Sequence, residues 1–151
     1  MMSLMKNIAP FEILLVEDDP ADASLVRSAL KENKVLCNFY LAADGVEALA
    51  FLRREGEAYA AVPRPDLILL DLNMPRMNGR EFLAEMKQDE ALASIPVVVL
   101  TTSEAERDVV ASYKLGASGY ITKPVDMEQF ISAVRQLNDY WFALARLPAK
   151  E

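Results

Sequence analysis

Leu67-Ile68-Leu69-Leu70-Asp71-Leu72-Asn73-Met74-Pro75-Arg76-Met77-Asn78-Gly79 is the stretch that decides the fold of this chain. Four apolar residues run without interruption into a carboxylate, and a proline and a glycine then break the path. An unbroken Leu/Ile run of that length fits a strand buried on both faces, as in a parallel sheet. Asp71 stands where that strand leaves the core. Either it begins a turn or caps the next helix, or the fold uses it; the other strand ends decide between these readings.

Upstream, Glu12-Ile13-Leu14-Leu15-Val16 is a similar run that ends in Glu17-Asp18-Asp19-Pro20. Asp19 before Pro20 predicts a helix start, with Asp19 as N-cap and proline in the first turn. Leu25, Val26, Ala29 and Leu30 then recur at helical spacing. This gives Asp19 a structural role but leaves Glu17 and Asp18, which precede the cap, without one. Residues 36–41 are rich in apolar and aromatic side chains and predict a second strand, carrying Cys37 as a small core residue. Asp44-Gly45 opens a helix to about residue 54, with Val46, Leu49 and Leu52 on its inner side, and residues 55–65 form a long connector containing two prolines.

Downstream of Asp71, Asn78 with Glu81 three places on predicts a capped helix reaching about residue 89. Residues 95–100 form a fourth strand that exits into Thr101-Thr102-Ser103. Ser103-Glu104-Ala105-Glu106 is a capping box for a helix that stops near Gly116. Residues 119–122 form a fifth strand leaving through Lys123-Pro124, and a last helix runs from about residue 126 to 146. Five strands alternating with five helices give a (βα)5 α/β fold, a doubly wound parallel sheet, and the flavodoxin-like order 2-1-3-4-5 is its common solution.

Composition narrows the function. The chain has 151 residues, 52% hydrophobic and 26% charged, which fits one soluble globular domain. The net charge of −7 and the lack of a basic cluster argue against nucleic acid or an anionic membrane as partner. A lone cysteine rules out an internal disulfide, and the absence of histidine excludes Ser-His-Asp and Cys-His catalysis and His-ligated zinc. Neither a signal peptide nor an 18-residue apolar run is present, so the expected location is cytoplasmic.

In such sheets the working site lies beyond the carboxyl ends of the strands. Strand 1 exits into Glu17 and Asp18, strand 3 into Asp71, strand 4 into Thr101 and strand 5 into Lys123. Strands 1 and 3 are neighbours in this order, about 5 Å apart, so three carboxylates converge and need a compensating charge. A hard divalent cation supplies it, and Mg2+ fits best, with Mn2+ as a substitute. Asp71 then becomes a nucleophile that accepts a phosphoryl group. Lys123 and the Thr101 hydroxyl are the complementary cation and hydrogen-bond donor for the phosphoryl oxygens.

Val16-Glu17-Asp18, Asp71 to Pro75 with Gly79, Thr101-Thr102 and Gly119-Tyr120-Ile121-Thr122-Lys123-Pro124 resemble the CheY-like receiver domain of two-component response regulators. The likeness extends over about residues 11–145, with Thr101 thirty residues and Lys123 fifty-two residues after Asp71. It implies Asp71 as phospho-acceptor, Asp18 as direct Mg2+ ligand, Glu17 acting through a water and the Asn73 backbone carbonyl as a further ligand. It also implies a cis bond before Pro124 and a switch pair of Thr101 and Tyr120, acting on the face of the fourth helix and fifth strand. Glu17 stands where the family more often has aspartate.

A tail of residues 1–10 and one receiver domain over residues 11–147 leave no room for an output domain, so output is expected through protein contacts. The phosphoryl group is expected from a separate sensor histidine kinase, which makes the chain a phospho-acceptor that catalyses only its own phosphorylation and dephosphorylation. Met127, Phe130, Ile131, Val134 and Leu137 form one apolar stripe of the last helix. Tyr140-Trp141-Phe142 lie about 100° apart around it, cannot all face the core, and are read as an interface for a homodimer or for the kinase. With the long connector, this helix resembles stand-alone regulators partnered with bacterial phytochromes; the downstream protein is unknown. Two other readings are a pseudo-receiver that binds partners without phosphorylation and an aspartyl-phosphate hydrolase of the haloacid dehalogenase type. The intact acidic pair with Asp71, Thr101 and Lys123 opposes the first, and the missing second acid in Asp71-Leu72-Asn73 opposes the second.

Overall fold

Unbroken apolar runs need apolar cover on two sides, and the computed structural model of the chain provides it. It describes residues 11–32, 37–72, 74, 76–101, 116–122 and 128–129. Strands β1 (Phe11–Val16), β2 (Cys37–Ala42), β3 (Leu67–Asp71), β4 (Val97–Thr101) and β5 (Gly119–Thr122) form one sheet in the order β2-β1-β3-β4-β5. Every pairing is parallel. The expected topology and the exit of β3 at Asp71 are both present.

Alternation along the strands builds two cores. Ile13, Leu15, Leu67, Leu69, Val98, Leu100 and Ile121 face helix α1 (Pro20–Glu32), which contributes Ala23, Val26 and Leu30. Leu14, Val16, Ile68, Leu70, Val97 and Val99 face helices α2 (Gly45–Arg53) and α3 (Gly79–Lys87), which contribute Ala48, Leu49, Phe51, Phe82, Leu83 and Met86. All five residues of β3 are buried. At roughly 1.5–3 kcal/mol per fully buried large aliphatic or aromatic side chain, these layers dominate the favourable side of folding.

The helix starts follow local chemistry. The Asp19 Oδ1 accepts from the Ala21 N–H at 2.9 Å. Asn78 and Glu81 form a reciprocal capping box. Asp44 caps α2 by accepting from the Glu47 N–H at 2.9 Å. The long connector is ordered by packing: Arg54 adopts φ 54° at the end of α2, and a 3-10 turn (Glu57–Tyr59) brings Tyr59 against Phe51, which in turn packs on Tyr40 with the rings tilted.

Three expectations need correction. Val46 is 42% exposed and so does not lie on the inner side expected for it, and Leu25, which fits the helical spacing, is 56% exposed. Helical periodicity fixes a stripe only to within about one residue, and the narrower stripe of Val26 and Leu30, or Leu49 and Ala48, does the packing. The fourth strand begins at Val97 rather than residue 95, because Pro96 has no N–H to donate and offers only its carbonyl, to Ile68. The third helix ends at Lys87, short of residue 89. The helix after Ser103 and the body of the last helix lie outside the described residues.

Gly79 fixes the first turn of α3 against the end of β3. A Cβ there would lie 2.7 Å from the Leu72 Cα and 2.8 Å from the Asp71 carbonyl oxygen, both backbone atoms that cannot step aside. Gly79→Ala is therefore expected to lower unfolding free energy by about 1–3 kcal/mol, whereas Leu25→Ala should stay within about 0.5 kcal/mol of the parent. Urea denaturation of the three proteins checks both values, and a large loss for Leu25→Ala would restore that residue to the core.

Candidate phospho-acceptor and cation site

Because β1 lies between β2 and β3, its exit loop is clamped from both sides. Val16 pairs with Leu70 of β3 and Ala42 of β2, and the Glu17 N–H continues the ladder by donating to the Ala42 carbonyl at 2.9 Å. Register therefore brings Glu17 level with Asp71. The carboxylate oxygens of Glu17, Asp18 and Asp71 lie within 4.8 Å of one another. Glu17 is 2% and Asp71 7% exposed, while Asp18 is open to solvent. The Asp19 N–H donates to the Glu17 Oε2 at 3.3 Å and helps hold that carboxylate inward.

Two buried acids and an exposed third, all on strand ends, suit a hard cation that keeps part of its water shell, as Mg2+ does. The donor set is oxygen only, which fits Mg2+ or Mn2+ and not a thiolate- or imidazole-seeking metal. Thr101 closes β4 and is in register with Thr122 of β5, the residue before Lys123, and Leu100 is in register with Asp71. Thr101 and Tyr120 are described as strand positions, without their side chains. Asn73, Lys123, Pro124, Tyr140, Trp141 and Phe142 lie outside the described residues.

A second polar contact flanks this site and was not singled out by the sequence reading. Asp44, 5% exposed, pairs with Arg76 through Nε and Oδ2 at 2.6 Å. Arg76 lies in the loop leaving Asp71 and has φ 61°, a left-handed conformation uncommon for a residue with a side chain. Its proximity to Asp44, 32 residues away, could not be read from local pattern. The available signal was the Asp-Gly step after β2, a carboxylate at a strand exit like the others.

Fold and site together define a response regulator receiver domain. The model of the response regulator receiver domain family matches residues 13–135, and the chain belongs to that family. In such domains an aspartate accepts a phosphoryl group from a histidine kinase with Mg2+ bound. The chain is 47% identical over 140 residues to response regulator Rcp1 of Synechocystis, covering 93% of this chain and 95% of that protein. It is similar to the phosphorylated cyanobacterial phytochrome response regulator RcpA, at 48% identity and TM-score 0.74, covering 93% of this chain and 100% of that one. It also resembles the bacteriophytochrome response regulator RtBRR, at 44% identity and TM-score 0.76, covering 85% and 78% of the two chains. A solved structure of Rcp1, 47% identical to this chain with TM-score 0.72 and covering 93% and 100% of the two chains, is Mn2+-bound. No helix among the described residues is long and apolar enough to cross a membrane.

Burial alone would push the Asp44 carboxyl up, but the Arg76 guanidinium and the Glu47 N–H reverse this and hold it below its ordinary value. A lowered carboxyl contributes stability that is complete above the ordinary value of about 4 and is lost as pH falls through the folded-state value. Asp44→Asn keeps a capping oxygen but loses the charge. Its urea midpoint should fall below that of the parent at pH 7, and the gap should close as pH drops below about 4. A gap independent of pH from 7 to 3 would show that the charge contributes nothing.

Proposed function

We propose that this chain acts as a response regulator whose Asp71 accepts the phosphoryl group of a phytochrome-type sensor histidine kinase. The observation that carries this reading is the convergence of the Glu17, Asp18 and Asp71 carboxylates within 4.8 Å at the ends of β1 and β3. The relatives named for phytochrome signalling support the choice of kinase. Residues 11–147 act as one receiver unit. The setting is the cytoplasm.

An Asp71 carboxylate oxygen attacks phosphorus, forming the O–P bond as the P–N bond to the donor histidine breaks and the imidazole leaves. Asp18 would be a direct ligand of the cation, Glu17 would act through a water, and the Asn73 carbonyl would be the further protein donor. Mg2+, or Mn2+ in its place, would when bound supply positive charge against the phosphoryl oxygens. The Lys123 ammonium pairs with the same oxygens, and the Thr101 hydroxyl donates to one of them. Drawing Thr101 toward the phosphoryl group vacates the space into which the Tyr120 ring turns, which alters the surface beside β5. Loss of the phosphoryl group to water, catalysed by the same residues, resets the switch. Output passes through a homodimer in which Tyr140, Trp141 and Phe142 form the contact, and through a downstream protein that reads its altered face.

Incubation with acetyl phosphate and Mg2+ should place one acid-labile phosphoryl group on Asp71. Asp71→Asn should take up none, and equal uptake by that variant would refute the assignment. The interface is tested separately. Light scattering at micromolar concentration should give twice the mass of one chain, reduced to a monomer by Trp141→Glu, and a single-chain mass for the parent with and without phosphorylation would refute the dimer.

A further inference from the structure

The loop that leaves Asp71 is held by a ring of contacts reaching back to α2. The Gly79 N–H closes the loop on the Leu72 carbonyl at 2.9 Å. The Gly45 N–H, at the first position of α2, donates to the Met77 carbonyl at 3.1 Å. A Cβ on Gly45 would lie 2.7 Å from the Met77 Cγ, so helix and loop are in direct contact. Asp44 ties the two together, with one carboxylate oxygen on the α2 N-terminus at Glu47 and the other on Arg76.

The partners differ in exposure: the Asp44 side chain is 7% exposed and that of Arg76 56%. The acid is fixed by its place in the fold, so it is the loop that is drawn to the helix. Arg76 reaches Asp44 from φ 61°, and the contact holds the backbone in a conformation that an unanchored arginine seldom keeps. Three residues before Arg76 stands Asn73, and two before that Asp71. The left-handed turn at Arg76 thus lies in the loop that follows the acceptor.

We propose that Arg76, anchored on Asp44, is a positioning residue that sets the Asp71–Asn78 loop for cation binding. This rests on the reading of Asp71, Asp18 and Asn73 as the cation site. Arg76 is not itself one of the proposed cation ligands; it acts by bracing the loop that follows Asp71 against α2. Groups that hydrogen-bond a metal ligand directly weaken the site by roughly 10–100-fold when removed; Arg76 acts one step further out, so the lower end is expected.

Two variants separate charge from backbone. Arg76→Asn tolerates the left-handed conformation but is too short to reach Asp44. Asp44→Asn keeps the helix cap and removes the charge. In cation-free protein, hydrogen exchange at the Gly45 amide should speed up in both variants. Mn2+ titration followed by electron paramagnetic resonance should show affinity reduced by about tenfold in each. The double variant should be no weaker than either single within about twofold, because both remove the same contact. Arg76→Lys should restore part of the affinity. With acetyl phosphate, the defect of the variants should disappear at saturating Mg2+, a change in cation dependence with the maximal rate kept.

Unchanged Mn2+ affinity in both variants, with the parent binding Mn2+ and taking up phosphate at Asp71, would overturn the positioning role and leave the phospho-acceptor reading intact. So would additive losses in the double variant, or weakened affinity without faster Gly45 exchange. A parent that binds no Mn2+ would overturn both.

Discussion

The adjacency of β1 and β3 is the constraint on which the site depends. Parallel pairing of Val16 with Leu70 places two acidic strand exits side by side. Glu17 and Asp71 cannot separate without breaking a ladder whose residues are fully buried on both faces. A one-residue slip would exchange the faces of every apolar side chain in the strand, so register is secured by the two cores and the carboxylates must accept it. Crowded acids are unfavourable alone. The sheet supplies the free energy that keeps them together, and a bound cation relieves the repulsion they retain.

Strand ends alone do not finish a binding site, because each is followed by a loop with its own freedom. Local devices remove that freedom here. Gly79 lets α3 start in contact with the backbone of Leu72 and Asp71, Gly45 lets α2 touch Met77, and capping oxygens occupy the free N–H groups of both helices. The connector before β3 is drawn in by Tyr59 on Phe51 and by Arg64, which donates to the Ala91 carbonyl and the Ser94 hydroxyl. The chain thus enters β3 from an anchored loop and leaves it into another.

How much of this was legible in the sequence depends on the range of each interaction. Strands buried on two faces write themselves as apolar runs, and β1, β3 and β5 fall almost residue for residue where those runs lie. Caps are equally local: Asp19 and Asn78 act as read, and Asp44 caps the helix that the Asp44-Gly45 step opens. Amphipathic phase is weaker: Leu25 and Val46 fit the helical spacing yet face solvent, because apolar residues at the edge of a stripe cost little when exposed. The Glu17-Asp18-Asp71 cluster was legible because topology converts strand order into proximity. The Asp44–Arg76 pair was not, because two loops meet there and no periodicity governs loops.

The division between fixed and adjustable parts bears on how a charge change at Asp71 can be transmitted. Its own strand is buried along its whole length between two packed layers, and close-packed interiors do not deform gradually. Under the proposed function, a phosphoryl group on Asp71 would therefore not be accommodated by shifting β3 or β1. The response must be taken up where the chain leaves the sheet: in the loop from Leu72 to Asn78 and beyond the ends of β4 and β5. The first of these is tied to α2 by an ion pair and a backbone hydrogen bond, so on this side the loop resists displacement. A charge added at the centre of the strand ends would therefore meet, on this side, a loop that is braced against the neighbouring helix.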